Sequence, residues 1–255
     1  MDRMAEVRNL YFSYGQEPVL NDIKLSVDRG DFIVFIGPNG SGKSTLLKLM
    51  IGELKPDRGK IQLLGRDINK FEEWHRIGYM SQQIRNFNRS FPATVKEVVA
   101  AALYREMGFI KVLNKRLEKR VDEVLELVGM EDFRDRQIGN LSGGQQQKVF
   151  IARTLVKEPE LIFLDEPLVG IDLSSQEEFI NLLNRLNQDL NITIIMVAHE
   201  LQLIREAQKI AYFNGGGVLL YNQQDFAAAG YLNKDMLKAG RKPEVEYSSG
   251  GDYDA

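Results

Sequence analysis

The chain has no cysteine and only two histidines, His75 and His199, among its 255 residues. The absence of cysteine excludes disulfide bonds and thiolate metal centres. A structural zinc site would then depend on carboxylates, which is an unusual ligand set for that metal. The composition therefore argues against a disulfide scaffold or a zinc module.

Long hydrophobic runs and an excess of one charge are also missing. The most apolar run, Ile192 to Ala198, is too short to cross a bilayer. The start of the chain, Met1 to Glu6, leads into mixed polar sequence without the apolar stretch of a signal peptide. The 33 Lys and Arg residues against 36 Asp and Glu give a net charge of −3, which argues against a basic nucleic-acid-binding protein. We expect a cytoplasmic protein with no nucleic-acid partner.

Apolar patterning predicts strands towards both ends of the chain. Phe32 to Ile36 and Leu161 to Leu164 are continuous apolar runs, and Ile192 to Val197 is apolar except for Thr193. Such segments are typical of strands buried on both faces of a parallel sheet. Residues 23–27 alternate between apolar and polar, as in a half-buried strand. Because helical patterns alternate with these strands, the sequence predicts an α/β fold with a parallel sheet.

The middle of the chain, about residues 84–157, is predicted to be a helical subdomain inserted into that fold. Thr94 and Glu97 have capping-box spacing and predict a helix start there. Ser175 and Glu178 have a similar spacing and predict the cap of a later helix. We expect a single domain over residues 1–240 and a loose acidic tail over 241–255.

A glycine-rich segment after the first buried strand matches the phosphate-binding pattern G-x-x-x-x-G-K-[ST]. Its backbone N–H groups and the following helix N-terminus suit phosphate oxygens. Lys43 is predicted to reach the β- and γ-phosphates of a nucleotide, and Ser44 to ligate Mg²⁺. The predicted nucleotide-binding residues of this loop are Gly37, Pro38, Asn39, Gly40, Ser41, Gly42, Lys43, Ser44 and Thr45.

Two acids end the buried strand over residues 161–164. We predict that Asp165 holds Mg²⁺, and that Glu166 orients or deprotonates the attacking water. Taken alone, two acids at this point would mark only where the strand meets solvent. The phosphate-binding loop upstream makes a catalytic pair the better interpretation.

The segment Leu141-Ser142-Gly143-Gly144-Gln145 is a second glycine-rich helix start. The first glycine-rich loop already binds the nucleotide, so a second phosphate-binding segment is redundant within one chain. It has a role if it closes on ATP that another chain holds. Here the sequence resembles the ATPases of ATP-binding cassette (ABC) transporters, whose signature is LSGGQ. The resemblance extends from about Val7 to Tyr221 and implies an ATPase with a P-loop NTPase (RecA-like) core, an N-terminal antiparallel β subdomain and the helical subdomain.

The resemblance also assigns four further residues. Tyr14 resembles the aromatic that stacks on adenine, although an aromatic on a strand is more often part of a core. Gln82 resembles the glutamine that senses Mg²⁺ and the γ-phosphate, so it is predicted both as a metal ligand and, with Lys43, as a catalytic residue. Asp172 resembles the aspartate that links two sites across a dimer, and His199 the switch histidine at the γ-phosphate.

The resemblance implies partners as well as residues. Two copies of the chain would sandwich two ATP molecules, each with Mg²⁺, between the loop of one and Ser142 to Gln145 of the other. Integral membrane permease subunits would hold the pair at the cytoplasmic face of the cell membrane. The basic run from Arg105 to Arg120 is interpreted as a solvated helix face, with contact to anionic headgroups as the alternative.

The cargo is predicted from a resemblance to one branch of the family. The segment Phe91 to Val99 resembles the branch that imports zinc or manganese, which would involve an extracytoplasmic metal-binding protein indirectly. The alternatives are a siderophore or cobalamin importer and a non-transport ABC ATPase, such as one for cluster assembly.

Overall fold

The computed structural model describes residues 2–82, 92–108, 113–198 and 201–228. Its strands are β1 (Arg3–Tyr14), β2 (Glu17–Asp28), β3 (Phe32–Ile36), β4 (Arg58–Leu63), β5 (Arg66–Asp67), β6 (Ile77–Met80), β7 (Leu161–Asp165), β8 (Thr193–Val197), β9 (Lys209–Phe213) and β10 (Val218–Asn222). Its helices are α1 (Lys43–Met50), α2 (Val95–Ala100), α3 (Lys115–Leu127), α4 (Gly143–Leu155), α5 (Leu173–Gln188), α6 (Leu201–Glu206) and α7 (Gln223–Ala228).

These strands form two sheets within the described residues. The first is antiparallel, in the order β2-β1-β4-β5, and contains the N-terminal strands. The second has the order β10-β9-β3-β8-β7-β6, and its pairs are parallel except for β9 with β10. The predicted fold class, a parallel α/β core with an antiparallel β subdomain and a helical lobe, is confirmed.

The parallel sheet separates two apolar cores. Because successive side chains of a strand point to opposite faces, Ile33 and Phe35 pack with α1 and the antiparallel sheet. Phe32, Val34 and Ile36 pack on the other face, with helices α2 to α5. All five residues of each of the strands β3, β7 and β8 are buried, as their largely apolar sequences predict.

Helices α2, α3 and α4 contact one another and form the helical lobe. The predicted capping box at its start is confirmed, since the Thr94 hydroxyl accepts from the Glu97 N–H and the Glu97 carboxylate accepts from the Thr94 N–H at 2.7 Å. The lobe lies close to the parallel sheet, where a Cβ on Gly78 of β6 would come within 2.4 Å of Thr154 on α4. Part of the predicted range 84–157 and all of the predicted tail lie outside the described residues.

Helix α5 does not begin as the sequence pattern predicts. Its N-cap is Asp172, whose carboxylate accepts from the Ser175 N–H at 3.0 Å. The prediction that Ser175 and Glu178 cap this helix is wrong, since both lie inside it. Asp and Ser are equally good N-caps, so spacing alone did not distinguish them.

Ion pairs fix the amino ends of the parallel strands. Glu160, which precedes β7, accepts from Arg76 before β6 and from Arg29 before β3 at 2.6 Å. The guanidinium group of Arg76, and to a smaller extent that of Arg29, lowers the pKa of Glu160 to about 2. The pairs therefore hold β3, β6 and β7 at one edge of the sheet, while the loops after the carboxyl ends of these strands leave from the opposite edge.

Among the described helices, none has the length and apolarity needed to cross a lipid bilayer.

Candidate active site

The glycine-rich loop joins the carboxyl end of β3 to the start of α1. Its last residue, Gly42, is the N-cap of α1 and has a φ of 98°, which favours glycine. A Cβ there would also lie 2.6 Å from the Leu20 side chain on β2. No side chain caps α1, so its first backbone N–H groups have no side-chain acceptor. This end of the helix is built to receive an anion.

Lys43 lies beneath that loop and is 5% exposed. Its ammonium group donates to the carbonyl oxygens of Gly37 at 2.9 Å and Pro38 at 2.8 Å. Burial lowers the pKa of Lys43, and the carboxylates of Glu166 and Asp165 oppose that shift. A phosphate group in the loop would add the negative charge that a buried ammonium group lacks.

Asp165, at the end of β7, is 4% exposed and accepts from the Ser44 hydroxyl at 2.9 Å. Burial raises the pKa of this carboxyl, while the hydrogen bond from Ser44 lowers it. A carboxylate and a hydroxyl in contact are the oxygen ligands that Mg²⁺ prefers, and a divalent cation would favour the ionised form of Asp165. The two residues therefore fit a magnesium site.

Glu166 follows Asp165 at the carboxyl end of β7 and has a strained backbone conformation. Its φ is 48°, which costs a non-glycine residue roughly 1–3 kcal/mol. Its N–H donates to the Val197 carbonyl at 3.1 Å, and its carboxylate accepts from the Gln82 amide at 2.7 Å. The structure thus brings together Gln82, just beyond β6, and Glu166, just beyond β7.

Lys43, Ser44, Gln82 and Glu166 border one open cleft of about 660 Å³. The exposed ring of Tyr14 stands at its side, where it packs edge-on against Phe12 with ring centroids 4.9 Å apart. The core interpretation of Tyr14 is therefore wrong. The residues that line the cleft are Tyr14, Val19, Asn39, Gly40, Gly42, Lys43, Ser44, Thr45, Gln82 and Glu166.

Val19 is a lining residue that the sequence analysis missed. It lies on β2, and a Cβ on Gly42 would come within 3.2 Å of its side chain. An isolated valine on an alternating strand carries no signal of a binding role. Val19 reaches the cleft only because its side chain packs against the glycine-rich loop.

Other predicted residues do not line the cleft. Gly37 and Pro38 offer their carbonyl oxygens to Lys43, while Ser41 is buried. Ser142 and Asp172 are exposed N-caps of α4 and α5. The predicted site residues of the chain's own cleft that do not line it are Gly37, Pro38, Ser41 and Asp165. The residues predicted to act across a dimer, Ser142, Gly143, Gly144, Gln145 and Asp172, do not line it either. The predicted switch residue His199 lies outside the described residues.

Ser142 and Gln145 form a capping box at the start of α4. The Ser142 hydroxyl accepts from the Gln145 N–H at 3.2 Å, and the Gln145 side chain accepts from the Ser142 N–H at 3.0 Å. Nothing lies within 4 Å of the place where a side chain on Gly143 would begin. The segment is therefore ordered by its own hydrogen bonds, and its first two residues, Ser142 and Gly143, are exposed.

Solved structures of similar fold provide one comparison. The dimeric structure of a bacterial ABC transporter cassette superposes with a TM-score of 0.72 and 28% identity. The match covers 86% of this chain and 99% of that one. The likeness therefore spans both sheets and the helical lobe.

Sequence comparisons agree with that likeness. The zinc uptake system ATP-binding protein ZurA of Listeria innocua is 47% identical over 201 residues, which are 79% of this chain and 78% of that protein. The manganese transport system ATP-binding protein MntB of Halalkalibacterium halodurans is 38% identical over 224 residues, or 88% and 85% of the two chains. The ABC transporter family model matches residues 20–169. This chain therefore belongs to the ABC transporter family and carries its ATPase domain.

Proposed function

We propose that this chain hydrolyses Mg²⁺–ATP in the cleft above β3 and β7 to power a metal importer, and that the reacting groups are those described there. The observation that carries the proposal is the meeting of Ser44 with Asp165 and of Gln82 with Glu166 beside Lys43. Three separate segments of the chain supply these residues. Their convergence fits phosphoryl transfer, which requires positioning and charge stabilisation.

Each group has a distinct role in this proposal. Lys43 binds the β- and γ-phosphates, and the exposed ring of Tyr14 stacks on adenine. Ser44 and Asp165, with Gln82, would hold Mg²⁺, which supplies positive charge to the phosphate oxygens. Glu166 orients the attacking water and accepts its proton, while the amide of Gln82 holds the carboxylate in place. His199 would contact the γ-phosphate, as the family resemblance implies.

The cleft of one chain is incomplete in this proposal. No residue of the segment Ser142 to Gln145 lines it, although Ser142 and Gly143 are exposed at a helix start, which suits phosphate. A second copy of the chain would supply the segment from outside and cover the nucleotide. Asp172, exposed at the start of α5, would contribute at the same contact between copies.

Changing Glu166→Gln should lower the rate of ATP hydrolysis by roughly a hundredfold or more. The amide keeps the shape of the side chain but does not accept a proton from water. ATP affinity should stay as in the unchanged chain, because Lys43 and the glycine-rich loop are intact. Phosphate release and binding of a fluorescent ATP analogue measure the two quantities on the same preparation.

The matched control is Glu126→Gln, which removes the same charge from an exposed position on α3. It should hydrolyse ATP as fast as the unchanged chain. Near-normal hydrolysis by Glu166→Gln would remove this residue from the role of base. Lost ATP binding would instead place it among the binding groups.

Zinc or manganese is the proposed cargo. The support is the naming of the similar proteins for zinc uptake and manganese transport, together with the segment Phe91 to Val99. A chain without cysteine and with two histidines has few of the ligands that select such metals. A separate extracytoplasmic binding protein and the permease would therefore recognise the ion.

In cells that carry Glu166→Gln in place of the unchanged chain, uptake of radioactive zinc or manganese should fall by roughly tenfold or more. The driving reaction is absent although the subunit is present. Cells with Glu126→Gln provide the control and should accumulate both metals normally. Unchanged uptake of both metals would reject this cargo and favour a siderophore or cobalamin importer, or a non-transport role.

We propose that the permease docks on a second cleft, of about 550 Å³, between the helical lobe and the core. Exposed Trp74 and Tyr104 line it, together with Arg105, Arg153 and Lys157. These three cations are exposed and form no ion pair within the described part of the chain. Tyr79 and Ser81, which lie three residues and one residue before Gln82, also line this second cleft. An apolar segment that carries carboxylates would fit here and contact the strand that leads to Gln82. Such docking would hold the chain at the cytoplasmic face of the membrane.

The double change Arg153→Glu with Lys157→Glu should reduce co-purification of the permease by roughly tenfold or more, because it places acids opposite acids. ATP hydrolysis by the isolated subunit should not change, since neither residue lines the ATP cleft. Mass spectrometry of detergent-solubilised complexes measures the permease recovered per subunit.

The comparison variant is Lys115→Glu with Arg116→Glu, which makes the same change of charge on the exposed first turn of α3. It should recover the permease normally. A loss with this variant alone would instead favour contact between the basic run and anionic headgroups.

A further inference from the structure

The starts of α4 and α5 lie side by side. A Cβ on Gly144 of α4 would lie 2.5 Å from the side chain of Ser175 on α5, so only glycine allows this approach. Farther along, Lys148 on α4 donates to Glu178 on α5 at 2.6 Å. On both helices, the second contact lies nearer the carboxyl end than the first. The helices therefore run in the same direction here, and their N-termini lie at the same end.

A glutamine amide holds each N-terminus to the loop that precedes it. Gln146 donates to the carbonyl oxygens of Ile138 at 3.1 Å and Leu141 at 3.4 Å. Gln176 donates in the same way to Leu168 at 3.3 Å and Ile171 at 3.0 Å. Each loop is thereby fixed to its own helix, and any movement of one helix carries its loop along.

The two loops have different roles in the proposed function. The loop at 138–141 leads into the segment Ser142 to Gln145, which would cover the nucleotide of the partner copy. The loop at 168–171 follows two residues after Glu166, which serves this chain's own nucleotide. A rigid link between α4 and α5 would make the two ATP sites of a dimer move together.

We infer that Lys148 and Glu178 are positioning residues that couple the two ATP sites of the dimer through α4 and α5. The inference rests on the proposed function. Neither residue lines the ATP cleft, so the pair acts through the helices and not on the nucleotide. The Lys148 side chain is 21% exposed and that of Glu178 59%, and ion pairs this exposed contribute little to folding stability. Loss of the pair should therefore affect coupling and leave the fold intact.

The test uses Lys148→Met and Glu178→Gln in the full chain. Both should reduce the turnover rate roughly tenfold and lower the Hill coefficient for ATP towards about 1, because each site then reacts without the other. ATP affinity of the monomer and the melting temperature should stay as in the unchanged chain. Turnover against ATP concentration, nucleotide titration and thermal melting supply these readouts.

Two further variants separate positioning from simple loss of structure. Lys148→Arg keeps the ion pair, and the exchange of Lys148→Glu with Glu178→Lys restores it in reverse. Both should recover the turnover rate and the Hill coefficient of the unchanged chain. Lys119→Met removes a comparably charged lysine from an exposed pair on α3, Lys119 with Glu123 at 3.3 Å, and should have no effect.

Retained cooperativity in the neutral variants would overturn the inference, as would an exchange variant no better than the single changes. A lower melting temperature that accounts for the loss of turnover would also overturn it. Failure of the proposed function is distinguishable, because the unchanged chain would then show no ATP hydrolysis.

Discussion

The hydrogen bond between Ser44 and Asp165, at 2.9 Å, joins the loop after β3 to the end of β7. It spans the position of β8, which lies between these two strands in the sheet. The bond is possible because all three strands run in parallel, so that their carboxyl ends share one edge. Asp165 and Lys43, which directly precedes Ser44, are both buried, and burial disfavours the charged form of each side chain. Phosphate and a divalent cation supply the opposite charges that such groups need.

In our proposal one chain holds two incomplete halves of an ATP site, and the same arrangement of strands explains why. The cleft takes its residues from the edge of the parallel sheet, while Ser142 to Gln145 lie at the start of α4 beside α5. The capping box of α4 and the N-cap of α5 order the exposed starts of these two helices within one chain. In our proposal, association with a second copy completes each site.

Much of the fold could be predicted because the central strands of its parallel sheet, β3, β7 and β8, are largely apolar and the loop after β3 is rich in glycine. Phe32 to Ile36 form β3 with the predicted bounds, and the glycine-rich loop follows it directly. Pattern reasoning failed where several residues satisfy one rule, as when Asp172 and not Ser175 capped α5. It also missed Val19, which reaches the cleft through packing with distant Gly42. The contact of Gln82 with Glu166 depends on β6 and β7 being neighbours, a pairing that local sequence does not encode.

The most direct measurement of the central claim is cross-linking between copies. The chain has no cysteine, so Ser142→Cys in one preparation and Asn39→Cys in another introduce the only thiols. Both are made in the Glu166→Gln background, mixed, and treated with a short bismaleimide. The account predicts a product of twice the 29.1 kDa chain mass that forms only with ATP and contains one copy of each variant. A cross-link that forms equally without ATP, or that forms within a single chain carrying both thiols, would contradict it.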